Sequence, residues 1–249
     1  MRKKGLWLLA LIFSGLTQAG TMGSIEAGWR NVITASGGPV WADKGQFQSI
    51  YFSPELSRTY TLKNSGSLLG EGELFAGRQR FLNKVYAAQL GVAFAGLSKR
   101  HRSGAVWDFD DPRFDNYRYS YDARHYRGVV RGKLLRNFSF TLFKPWISAS
   151  LGFSHNKSTN YREWPVICEA ESLPTTLFRK REHTAFTWSL GAGIQRVLIP
   201  HLHVGLGYEF VDWGQNALKG AAAQPAGAKG LSQNHVYTNG LIFNLTWLS

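Results

Sequence analysis

The last strand limits this chain's fold more than any other segment. Leu241, Phe243, Leu245 and Trp247 share one face at period two. Thr238, Gly240, Asn244 and Thr246 share the other, where Ile242 is the one apolar exception. A strand that is apolar on one side and small or polar on the other suits a sheet with lipid outside and a packed lumen inside. A soluble β-sandwich is the competing explanation of such alternation.

The N-terminus favours the membrane. Arg2, Lys3 and Lys4 precede an apolar run from Leu6 to Leu16, too short to span a bilayer as a helix. Thr17, Gln18 and Ala19 then supply small residues at the positions a signal peptidase reads. The pattern predicts a secretory leader over residues 1–19, cleaved after Ala19, and a barrel domain over residues 20–249; an uncleaved anchor is the alternative. No other stretch approaches ~20 apolar residues.

Composition agrees. Twenty-seven glycines and 14% aromatic residues beside only 18% charged ones fit strands whose alternate residues face lipid and a crowded interior. The formal charge of +13 would ordinarily suggest nucleic acid. Export removes that partner, so outer-membrane lipids and lipopolysaccharide phosphates are expected instead, and no nucleic acid. The lone cysteine, Cys168, cannot form an internal disulfide and is expected as a free thiol in the third outer loop.

Alternation continues back along the chain. Tyr86, Ala88, Leu90, Val92 and Phe94 share a face, as do Tyr126, Val130 and Leu134, then Ile147, Ala149, Leu151 and Phe153. Phe186, Trp188, Leu190, Ala192 and Ile194 repeat the pattern, followed by Leu202, Val204, Leu206, Tyr208 and Phe210. The first strand is expected within Glu26–Trp41. Short turns near 83, 138 and 200 alternate with long loops at about 42–66, 99–116, 156–182 and 214–232. The expectation is an all-β fold: an eight-stranded, antiparallel, up-and-down transmembrane β-barrel with long extracellular loops. Residues 46–52 and 58–62 also read as strands and are assigned to a hairpin above the membrane; counting them in the barrel would give ten strands.

Several segments carry a resemblance. They are Gly38-Pro39-Val40-Trp41, Gly72-Glu73-Leu74-Phe75, Trp107-Asp108 with Phe114-Asp115-Asn116-Tyr117, Gly207-Tyr208-Glu209-Phe210 with Asp212-Trp213-Gly214, and His235 through Thr246. Through them the chain resembles the small opacity-protein/OmpA-like family of bacterial outer-membrane barrels, and especially a group from intracellular Gram-negative pathogens. The resemblance implies fold and outer-membrane location. It brings no catalytic residue, because that family is mostly without an assigned activity. Thr238, Gly240, Phe243, Leu245 and Trp247 also resemble the terminal signal by which such barrels are handed to the barrel-assembly machinery.

Candidate functional residues fall into two groups. Glu73, His125, Arg127, Arg131 and Glu209 all have lumen parity. An eight-stranded interior is just wide enough to be filled by side chains, so these charges are expected to pair as a plug. A polar path for a small solute is the alternative. Arg100, Arg102, Trp107, Arg179, Lys180 and Arg181 are expected in outer loops, touching lipopolysaccharide or a host surface ligand.

Other constellations are weaker. Asp108, Asp110, Asp111, Asp115 and Asn116 lack the ordered spacing of a calcium loop. His201 and His203 are two ligands without a third or fourth. No metal or cofactor is expected. Serine hydrolysis would need Ser150 or Ser189 to meet His183 or His235 with an acid, and no local spacing ties them. The reading is a non-catalytic envelope-structural or surface-interacting barrel. A narrow pore and a lipid A-modifying enzyme are its rivals.

Overall fold

The computed structural model describes residues 28–249 apart from 44, 46, 54–55, 63–67, 138–142, 167–176, 222–223 and 225–227. The expected leader and Cys168 lie outside the described residues. In chain order the strands are β1 (Arg30–Ala42), β2 (Gln48–Ser53), β3 (Leu56–Tyr60), β4 (Leu68–Phe81), β5 (Tyr86–Leu97), β6 (Arg100–Asp108) and β7 (Asp115–Arg136). They continue as β8 (Phe143–Pro165), β9 (Arg181–Ile199), β10 (Leu202–Asp212), β11 (Asn216–Lys219), β12 (Lys229–Gln233) and β13 (Tyr237–Leu248).

Eight of these close a ring in the order β7, β5, β4, β1, β13, β10, β9, β8 and back to β7, every pairing antiparallel. β13 completes it, with Ala35 opposite Leu245 on one side and Leu206 opposite Phe243 on the other. Closure removes the exposed sheet edges that lipid could not solvate. The outer surface carries the apolar half of each alternation. Leu74, Leu90, Phe94, Val130, Ile147, Leu151, Phe186, Leu190 and Phe243 are all exposed. A soluble monomer rarely exposes an apolar surface this continuous, whereas a bilayer-spanning barrel needs one. Among the described residues no helix is long and apolar enough to cross a membrane, and the crossing elements here are strands.

The hairpin β2–β3 lies outside the ring, as the sequence pattern indicates. Three expected loops are corrected. Residues 99–116 hold β6, which extends the β5 wall and pairs with the upper part of β7. β8 runs to Pro165, well into the stretch read as a loop from 156. The loop at 214–232 contains β11 and β12, which pair with each other. These segments stand above the lipid, so their outer faces need no apolar residues and the period-two signal fades where the strand does not. A lipid crossing takes ~9–11 residues; β7 has 22 and β8 has 23.

The extensions build a cap with a core of its own. Ile50, Phe52, Tyr60, Tyr119, Tyr121, Phe178, Leu218 and Leu231 pack together above the lumen. Tyr60 sits edge-on to Tyr119 at 5.5 Å and to Phe178 at 5.4 Å. Buried Arg58 pins the hairpin to the walls. Its Nε donates to Asp108 at 2.8 Å, its Nη1 donates to Glu163 at 2.9 Å, and its guanidinium covers the Tyr117 ring at 4.6 Å.

Candidate functional site

The lumen is packed in layers. The central one is ionic. Glu71 and Glu73 project inward from β4, Arg127 and Arg131 from β7, and Glu209 from β10, each an inward position of its alternation. Arg127 Nη2 lies 3.0 Å from Glu71, 3.2 Å from Glu73 and 3.0 Å from Glu209. Arg131 pairs with Glu73 through Nη1 and with Glu209 through Nη2, the latter at 2.5 Å. Lys133, one inward step further along β7, donates to Gln195 at 3.0 Å and covers the Trp146 ring at 4.4 Å. Three carboxylates thus face three cations. Neutrality is what an interior shielded from water demands of so many charges.

Below this layer the polar pairs are uncharged. Gln89 donates to Gln79 at 2.8 Å, and Thr34 and Thr246 share a hydrogen bond at 2.9 Å. Ser150 and Ser189, which share one at 2.6 Å, stand beside the ionic layer itself, with Ser150 opposite Arg131. The Trp146 indole lies across this level, close over Gly193 and Gly207, where any Cβ would collide with its ring. The cavity that remains, bounded by Glu73, Phe75, Lys133 and Asn244 among others, has room for about one water molecule.

Above the ionic layer Trp213 is fully buried, its indole N–H donating to Thr238 at 2.9 Å and its face covering Arg127 at 5.1 Å. His125 belongs to this level. Its Nδ1 lies 2.8 Å from Asn156 Oδ1, directly opposite on β8, and its ring is 6.1 Å from Trp213. The expected His125–carboxylate contact is therefore corrected: Nδ1 meets Asn156 and not a glutamate, and the buried Nε2 has no partner among the described residues.

The surface-loop group divides. Arg179 and Lys180 are exposed and Arg181 is half-buried. Trp107 is half-buried against Phe47 at 6.1 Å. Arg100 and Arg102 are corrected: both are buried, on the inner face of β6. Arg100 donates to the Asp43 carbonyl at 2.6 Å, and Arg102 donates to Gln233 at 2.5 Å. Outward cations at this end include Lys99, paired with Asp122, Lys157, paired with Glu182, and Arg124, which lies opposite Lys157 across β7 and β8.

Other sequence candidates separate in space. The terminal strand presents Phe243, Leu245 and Trp247 outward and buries Thr238 and Gly240. Asp108 is bound by Arg58 and Asn116, Asp110 by Thr59, Asp111 by Arg113 and Asp115 by Arg118. Four carboxylates with separate partners form no shared cage, and among the described residues no metal-ligating group of three exists. His203 faces the lumen beside Gln195, whereas His201, in the β9–β10 turn two residues earlier, stacks on Trp247. Glu71 and Lys133 were missed from the plug, although each lies one inward step beyond a residue assigned to it.

No family model matches the chain, and no curated protein matches it. Among solved structures it is similar to Neisserial surface protein A, at 10% identity over 88% of this chain and 98% of that one, with a TM-score of 0.40. It is similar to Ail, the attachment invasion locus protein of Yersinia pestis, solved with the heparin analogue sucrose octasulfate, at 12% identity over 88% and 99% of the two chains and a TM-score of 0.36. The outer membrane protease OmpT from Escherichia coli gives 9% identity over 92% and 99%, with a TM-score of 0.43. At these values the likeness is one of outline, and the assignment rests on the closed ring and its apolar belt. The chain is an eight-stranded transmembrane β-barrel of the outer-membrane type.

Proposed function

We propose that the protein is a closed, non-conducting barrel that reaches the outer membrane after loss of its leader and acts by presenting a rigid cap at the cell surface. The neutral layer of Glu71, Glu73, Glu209, Arg127, Arg131 and Lys133 carries this reading. An eight-stranded interior leaves no width beside such a layer for a hydrated solute. The aromatic core of the cap packs above the lumen. Lys99, Arg124 and Lys157 point outward just above Tyr126, Phe153 and Phe186, the height at which anionic lipopolysaccharide headgroups meet a barrel wall.

A structural and binding role is favoured over serine hydrolysis by what lies beside the histidines. His101 lies against Asp122, His125 against Asn156, His203 against Gln195 and His235 against Asp212. Among the described residues no serine hydroxyl is hydrogen-bonded to a histidine, the contact a serine nucleophile requires.

Topology tests the reading on cells. In a Cys168→Ser background, Arg113→Cys at the exposed tip of the cap should react with a membrane-impermeant maleimide on intact bacteria. Asn83→Cys, in the short β4–β5 turn, should react only after permeabilisation. The reverse pattern would overturn surface presentation.

A further inference from the structure

Two arginines of the cap stand apart from the balanced layer below. Arg100 and Arg102 occupy successive inward positions of β6 and are both buried. Arg100 is held by the chain at Asp43. Arg102 makes no ion pair among the described residues. Its Nη2 donates to Gln233 Oε1 at 2.5 Å, and its buried Nε has no protein partner among the described residues. A guanidinium out of water without a carboxylate is costly to hold, and an unbonded N–H adds to the cost.

The surroundings indicate what would relieve that cost. Arg102 lines a small, partly open pocket with Gln48, Tyr119, Tyr121, Ser232 and Gln233. Tyr60 also lines it, Leu62 and Leu231 add apolar wall, and Arg102 is the one charged member among the described residues. One cation among uncharged walls suits an oxyanion, which takes a charge-assisted bond from the guanidinium fork. The walls are fixed in place. Gln48 Oε1 accepts from the Ser232 main-chain N–H at 2.8 Å, tying β2 to β12, and Tyr119 stacks on Tyr121 with ring centroids 6.3 Å apart. The space, like the lumen cavity, has room for about one water molecule and is partly open, so it admits the oxygen tip of one anionic group and not a whole sugar ring.

We propose that this pocket binds a single oxyanion group, a carboxylate or a sulfate, carried by a ligand arriving at the cell surface, with Arg102 as its charged anchor. Gln233 orients the guanidinium, and Tyr119, Tyr121 and Gln48 shape the opening. The proposal deepens the surface-presentation reading and rests on it only for the side from which the ligand comes.

The test uses the full-length protein refolded in detergent, titrated with sodium sulfate and separately with sodium acetate at ionic strength held constant with sodium chloride, and followed by intrinsic fluorescence. Saturable binding of at least one anion is expected. Sulfate alone would assign a sulfate-type ester, acetate alone a carboxylate, and either supports the pocket. Arg102→Gln should weaken binding at least tenfold, while Arg113→Gln, at an exposed arginine already paired with Asp111, should leave it unchanged. Should Arg102→Gln fail to refold, Gln233→Glu decides. It supplies an internal carboxylate to Arg102, so it should refold at least as well as the wild type and lose saturable binding. Absence of saturation by both anions, or equal binding by Gln233→Glu and wild type, would overturn the proposal. Inverted maleimide labelling would sink surface presentation and leave this detergent measurement standing.

Discussion

Arg131 reaches across the barrel to Glu209: its Nη2 lies 2.5 Å from the carboxylate oxygen, joining β7 to β10, three places apart on the ring. A strand ladder holds only neighbours. This contact, with the Arg131–Glu73 pair, braces the ring across its middle.

Removing one partner strands a buried charge, which typically costs ~3–5 kcal/mol. Arg131→Ala and Glu209→Ala should each lower the temperature at which the compact form is lost on unboiled gels. The double variant should lose less than the two single losses summed, because the uncompensated charge disappears with its mate. Strict additivity would show that the two residues do not interact.

Trp146 gives a second check on lumen packing. Its indole fits because Gly193 and Gly207 present no Cβ to it. Gly207→Ala should destabilise the barrel by about 1–3 kcal/mol, as overpacking usually does. An unchanged unfolding temperature would mean that the indole swings aside freely.

Acid sensitivity is expected in the cap at Asp122, which lies above the apolar belt. Burial alone would push its carboxyl up, but bonds from Asn160, His101 and Lys99 outweigh burial and bring it down from 3.8 to about 2. A depressed carboxyl contributes stability above its unfolded value and loses it as pH falls through the folded one. The contribution of Asp122 is therefore nearly complete above about pH 4 and gone below about pH 2. Wild type should be more stable than Asp122→Asn at pH 5, and the gap should close toward pH 2. An equal gap at both ends would contradict the assignment.

The terminal strand is expected to act in assembly as well as in closure. Phe243→Asp with Trp247→Asp places two charges on the lipid face, each costing less than ~2–4 kcal/mol at mid-depth and less still toward the interface. The double variant should fail to insert and be degraded in the periplasm. Normal surface amounts by whole-cell labelling would refute this.

The barrel was legible in the sequence because lipid imposes one rule on every crossing strand. Leu90, Val92 and Phe94 had to alternate with inward residues, and parity alone placed Glu73, Arg127, Arg131 and Glu209 in the lumen. The same parity reached Glu71 and Lys133, which were missed because the inward stripe was cut short. Above the membrane the rule lapses. There Arg100 and Arg102 looked like loop cations, since a β6 strand with polar residues on both faces carries no periodic apolar signal. Their burial depends on the β2–β3 hairpin and β12 folding over them, a long-range contact that local pattern does not encode. His125 shows the limit of parity itself, which gives the face of a strand but not the neighbour, here Asn156.

The central claim is that the lumen is filled and braced by charge pairs, and single-channel recording in planar bilayers tests it most directly. The account predicts no steady conductance from the wild-type protein. It predicts small discrete steps only when the layer is opened, as by Glu73→Ala with Arg127→Ala and Arg131→Ala. A steady ohmic conductance of the wild type, abolished by Gly191→Trp, would contradict it and establish a pore.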